Sequence, residues 1–112
     1  MTKKTTFLLV LSLMIPAGLI LAAGGDAAAG KTVFGTKCAS CHGPNGEGKD
    51  AIAKALKVEL RHLGSKEVQA KSDADLGKDS SKGVGKMKPT AGLSDADVAN
   101  VVAFLRTLAQ KK

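Results

Sequence analysis

Hydrophobic positions follow three different patterns along this chain of 112 residues. The first is a block. From Phe7 to Leu21 the chain is almost wholly apolar, interrupted by Ser12, Pro16 and Gly18. The second is helical and lies at the end. Val98, Val101, Val102, Leu105 and Leu108 fall at i, i+3, i+4, i+7 and i+10, one face of a helix. Ser94 with Asp97 three residues on is a capping pair, and Asp95 and Asp97 occupy the first turn, where the helix dipole favours acids. Arg106, Lys111 and Lys112 supply the opposite sign at the far end. These features predict a helix over residues 94–108. The third pattern is sparse. Asp26 as N-cap and Ala27-Ala28-Ala29 start a helix that runs through Phe34 towards Lys37. Gly30 inside it costs about 1 kcal/mol against alanine, which points to a close packing partner. Ile52, Ala55 and Leu56 suit a short helix within 51–58, and residues 65–71 one or two helical turns. Ser72-x-x-Asp75 caps a short helix around Leu76 that ends over 79–83. No stretch alternates as a strand would, so the expected class is all-α.

Two segments between these elements are irregular. Residues 43–49 contain three glycines and a proline and read as a loop. No strand precedes them and no G-K-[ST] follows, so a phosphate cradle is not indicated. Residues 83–89, Gly-Val-Gly-Lys-Met-Lys-Pro, form a second loop that can turn a side chain inward.

The apolar block changes the domain count. Lys3 and Lys4 precede it, and Ala22-Ala23-Gly24 supplies the small residues of a cleavage site. The block is shorter than the ~20 residues that span a bilayer, and Pro16 breaks it. Residues 1–24 are therefore expected to be a signal peptide, and 25–112 one exported domain with no stable membrane insertion. Without the leader, 15 basic residues face 10 acidic ones, a formal +5. Phe34 and Phe104 are then the only aromatics and Met87 the only methionine. So few aromatics give little support to nucleic-acid binding. At 88 residues an all-protein core is marginal.

Candidate chemistry begins with Cys38-Ala39-Ser40-Cys41-His42. Two cysteines spaced by two residues, with histidine next, form the attachment pattern of c-type haem. Each thiol adds across one porphyrin vinyl group, and the imidazole after the second thiol can ligate the iron. A redox dithiol needs a βαβ context that is missing here, and structural zinc needs four ligands. A buried porphyrin would also supply apolar mass to the small core. The second ligand has two candidates. Met87 lies in a polar loop off any helical stripe, unlike a gap-filling core methionine, and thioether with imidazole is a recognised axial set that raises the potential. His62, beside Arg61, is the rival, and it also reads as a surface residue or a propionate partner.

The whole region after the leader resembles the class I c-type cytochromes, small bacterial single-haem proteins. Gly30 with Phe34 four residues on, Cys38-x-x-Cys41-His42, the Gly-x-Gly-x-Met loop and the final Val102-Ala103-Phe104-Leu105-Arg106 carry the resemblance. It implies first and last helices crossing over one covalently bound haem c, with Gly30, Phe34 and Phe104 at the crossing. Two features depart from the family. Lys88 separates Met87 from Pro89, and no proline lies in 55–65 to offer a carbonyl to the proximal histidine.

The resemblance and the site imply a soluble periplasmic monomer that carries single electrons, with Cys38 and Cys41 as tethers and His42 and Met87 as axial ligands. An iron with two protein ligands has no open position, so no enzyme activity is expected. The alternatives are a subunit held permanently by one oxidoreductase, which should expose a sizeable apolar patch, and a haem sensor or peroxidase-like enzyme with a labile iron site. In this family the exposed haem edge is where electrons leave. Lys37, Lys86 and Lys88, with Lys49, would ring that edge and steer redox partners with acidic docking surfaces.

Overall fold

Asp26 begins the first helix by accepting the N–H groups of Ala28 and Ala29 at 2.8 and 3.2 Å. Two of the donors that a helix start leaves free are satisfied in this way. A computed structural model describes residues 24–110; the expected leader, apart from Gly24, lies outside the described residues. Among the described residues six helices follow one another: α1 (Ala27–Lys37), α2 (Ala39–His42), α3 (Asp50–Leu56), α4 (Lys66–Gln69), α5 (Asp73–Lys82) and α6 (Asp95–Thr107). Among the described residues there is no strand, only an isolated antiparallel bridge between Val84 and Met87. The all-α expectation holds.

The fold is organised by the crossing of α1 and α6. Only Gly30 and Phe34 of α1 are buried, four residues apart and so on one face. A Cβ at Gly30 would fall on the backbone carbonyl of Asn100, so glycine is what lets the two backbones meet. Phe34 is 1% exposed and packs on Phe104 with ring centroids 5.1 Å apart and planes tilted by 54°. A tilted pair of this kind contributes about 0.5–1.5 kcal/mol beyond its buried area. Val101 and Leu105 complete the cluster. The side-chain oxygen of Asn100 accepts the Asp26 N–H at 2.8 Å, which fixes the start of α1 along α6.

The capping box at Ser94 and Asp97 is present, with both hydrogen bonds formed. On the predicted apolar face Val101, Val102 and Leu105 are buried, while Val98 and Leu108 are half-buried.

α5 runs through Lys82 and is capped by Gly83, within the expected ending segment 79–83. The serines that read as a terminator stay helical because Ser80 and Ser81 donate back to the carbonyls of Leu76 and Gly77, at 2.7 and 2.9 Å. Gly77 leaves room for Val98 and Val102 of α6.

Arg106 reads in the sequence as a charge suited to a helix end. In the structure it is a clamp. Its guanidinium donates to the Asp73 carboxylate at 2.7 and 2.9 Å, to the Gln69 carbonyl at 2.8 Å and to the Lys71 carbonyl at 2.7 Å. Gln69 in turn donates to the carbonyls of Leu63 and Leu105, each at 2.9 Å. One planar fork of donors thus ties the α4–α5 turn to α6.

Candidate functional site

α1 ends where the chemistry begins. The Cys38 N–H donates to the Phe34 carbonyl at 2.9 Å, so the first cysteine hangs directly from the core aromatic. The Cys38 carbonyl then accepts from Cys41 and His42 at 3.2 and 3.0 Å, making the motif a single helical turn. The glycine loop folds back on that turn: Gly48 donates to the His42 carbonyl at 2.6 Å and Lys49 to that of Cys41 at 3.0 Å. Both thiols are half-buried and unbridged.

Cys38, Cys41 and His42 face a cavity of about 750 Å³, a volume in the range of small-molecule and cofactor pockets. Phe34, Val101 and Leu105 of the helix crossing form part of its wall, with Ile52 of α3 and Leu76 of α5. Met87 lines the same cavity although 45 positions separate it from His42 in the chain. Its loop is a tight turn in which Val84 and Met87 exchange backbone hydrogen bonds of 3.1 and 2.9 Å. Gly83, at φ +77°, sits against the Met87 carbonyl, where a Cβ would collide. The Lys86 ammonium donates to the Leu56 carbonyl at 2.7 Å and so joins this turn to the end of α3.

Electrostatics suit a neutral donor set. Burial lowers the pKa of His42 below its ordinary value, which keeps a ring lone pair available. Burial raises that of the Cys38 thiol. The Nδ1 atom of His42 is buried with no hydrogen-bond partner, in keeping with the missing proline between 55 and 65. His62 is arranged differently. Its Nδ1 accepts the Gly64 N–H at 2.9 Å, and the residue is not part of the cavity wall. Among the described residues no cluster of three or more His, Cys, Asp or Glu side chains could hold a bare metal ion.

An apolar-walled cavity with two thiols and an imidazole on one turn, and a thioether from a distant loop, fits haem c. His42 and Met87 are the side chains that could hold the iron. Of the lysines singled out in the sequence, Lys37, Lys86 and Lys88 line the cavity. Lys49 lines a separate shallow groove beside α3 instead. Sequence reasoning missed Lys71 and Asp79, which also stand in the cavity wall and pair at 2.6 Å. They are eight positions apart across a turn, a separation that no periodicity flags.

The chain is similar to known proteins. The family model described as Cytochrome c matches residues 27–109. Cytochrome c-554(547) of Halothiobacillus neapolitanus is 37% identical over 90 residues, covering 75% of this chain and 98% of the relative. Cytochrome c6 of Picosynechococcus sp. is also 37% identical over 90 residues, covering 76% of this chain and 75% of the relative. Among solved structures, the KustC0563 c-type cytochrome aligns at a TM-score of 0.61 with 25% identity, over 72% of this chain and 98% of the other. The sulfane dehydrogenase SoxCD from Paracoccus pantotrophus aligns at 0.53 with 23% identity, over 76% and 44%, a likeness of fold. With its attachment motif on the turn after α1, its α1–α6 crossing and a family match that spans nearly all the described residues, the chain belongs to the cytochrome c family, a haem-containing electron carrier with covalently bound haem c.

Proposed function

We propose that this protein is an exported, soluble carrier of single electrons, in which Cys38 and Cys41 tether the haem and His42 and Met87 are its axial ligands. The observation that carries the reading is the shared cavity: two thiols, one imidazole and the only methionine after residue 14 line the same space. When bound, the haem supplies an iron centre that changes oxidation state by one electron. The chain's own part is to hold both axial positions, keep the His42 imidazole neutral and shield the centre with apolar side chains. Holding both positions limits geometric change and leaves no site for a substrate, which favours a carrier over an enzyme. Residues 1–24 are the leader that takes the chain to the periplasm, and 25–112 the functional domain.

Transient use of partners is favoured over permanent docking. Among the described residues the exposed large hydrophobics are Leu56 and Val84, both in the cavity wall and too few for a permanent subunit interface. Lys37 and Lys88 in the cavity wall supply positive charge for acidic redox partners.

Substitution of the proposed distal ligand tests the assignment. Met87→Ala should remove the iron–sulfur charge-transfer band of the oxidised protein and lower its potential, while His62→Ala leaves both nearly unchanged. An unaltered spectrum and potential in Met87→Ala would end the Met87 assignment.

A further inference from the structure

The Lys71–Asp79 pair is the least exposed ion pair among the described residues that faces the cavity. Its N–O distance is 2.6 Å, and the side chains are 45% and 25% exposed. A second pair in the same wall, Arg61 with Glu59, is looser at 3.8 Å and more open, at 57% and 79%. The two pairs differ in how they are held. Lys71 follows α4, and its carbonyl is gripped by the Arg106 guanidinium at 2.7 Å. Asp79 sits in α5, between Leu76 and Ser80, both buried and both lining the cavity. The backbone that carries each charge is thus held, Asp79 within α5 and Lys71 in the turn that Arg106 grips.

We infer that Lys71 and Asp79 are a potential-setting pair, two positioning residues of opposite sign that tune how readily the site accepts its electron. The inference rests on the electron-carrier reading above. Its physics is direct. Reduction would add one electron, and so one negative charge, to the haem that this cavity would hold. The Asp79 carboxylate in the wall opposes that charge and favours the oxidised state. The Lys71 ammonium favours the reduced state. Together they nearly cancel, so either one alone should have a larger effect than the intact pair. The Asp79 carboxylate, three-quarters covered, is screened less than an open surface charge, while the Lys71 ammonium, nearly half exposed, is screened more. No proton or further reactant is needed.

Equilibrium redox titration of the haem-loaded protein and four variants tests the pair. Asp79→Asn should raise the equilibrium constant for reduction by about tenfold, equivalent to about 59 mV for one electron. Lys71→Gln should lower it by a similar factor. The double variant Lys71→Gln with Asp79→Asn should return to within about twofold of the wild type, and Glu59→Gln, on the open pair, should move it by less than about twofold. The iron–sulfur band should persist in all of them, since neither residue is proposed as a ligand. Shifts of the same sign in the two single variants, or no shift with the band intact, would overturn the inference. If Asp79→Asn does not fold, Lys71→Gln decides alone: a downward shift supports the pair and an unmoved potential overturns it. Absence of the band from the wild type would overturn the His42 and Met87 reading instead, while opposite shifts would still support the pair.

Discussion

The helix crossing and the Met87 loop are built in contrasting ways. The crossing is a backbone-to-backbone contact in which Gly30 meets Asn100 and two phenyl rings lock beside it. Its side chains are almost fully buried, so its stability comes from packing and excluded water. The Met87 loop is held by two backbone hydrogen bonds within one turn and by the Lys86 contact to α3. Lys86, Lys88 and Pro89 in it are exposed. The protein thus places its attachment turn on the rigid crossing, and its proposed distal ligand on a lightly held turn. A covalent anchor needs a fixed origin. A thioether on a loop can reach the same cavity from elsewhere, and its position then depends on what fills the space between.

That contrast can be broken most severely by emptying the cavity. With Cys38→Ala and Cys41→Ala, expressed without haem, the wall from Phe34 to Leu105 loses its apolar contents. Circular dichroism and calorimetry should then show little cooperative unfolding, because a chain of this size buries too little surface alone. A sharp thermal transition in that apoprotein would show that the crossing is self-sufficient. Next in size is Phe34→Ala, which removes the ring between α1 and the cavity. A loss of about 3–5 kcal/mol is expected in denaturant titration of the haem-bound protein.

Arg106→Gln acts on the α4–α5 turn and leaves the crossing intact. It removes the ionic bonds to Asp73 and strands two backbone carbonyls, for an expected loss of about 1–2 kcal/mol. A change below about 0.3 kcal/mol would mean that the turn is held by its own packing. The smallest effect on stability is expected at Lys88. Lys88→Glu should leave the unfolding midpoint nearly unchanged yet slow electron exchange with an acidic partner at low salt. The difference should fade as the Debye length falls from about 10 Å at 0.1 M to about 3 Å at 1 M. Stopped-flow rates insensitive to both salt and this reversal would place docking elsewhere. Lys86 is the less clean test, since its ammonium also serves the Leu56 carbonyl.

Much of the molecule was legible in the chain because the signals are local. The Ser94 capping box, the apolar face of α6 and the Asp26 start of α1 each depend on residues within about two turns of one another, the range over which helix hydrogen bonds and side-chain spacing act. The attachment motif was legible for a covalent reason: two thiols and an imidazole at that spacing have few other uses. Which residue of 79–83 ends α5 was not legible, because serine serves equally as a terminator and as a helical residue that bonds back to its own turn. The clamp of Arg106 on Asp73, Gln69 and Lys71, the commitment of Lys86 to α3 and the Lys71–Asp79 pair in the cavity wall were decided only by the tertiary structure. Each joins segments whose separation along the chain carries no period, and a long, flexible charged side chain reveals its partner only when the fold has brought that partner within reach.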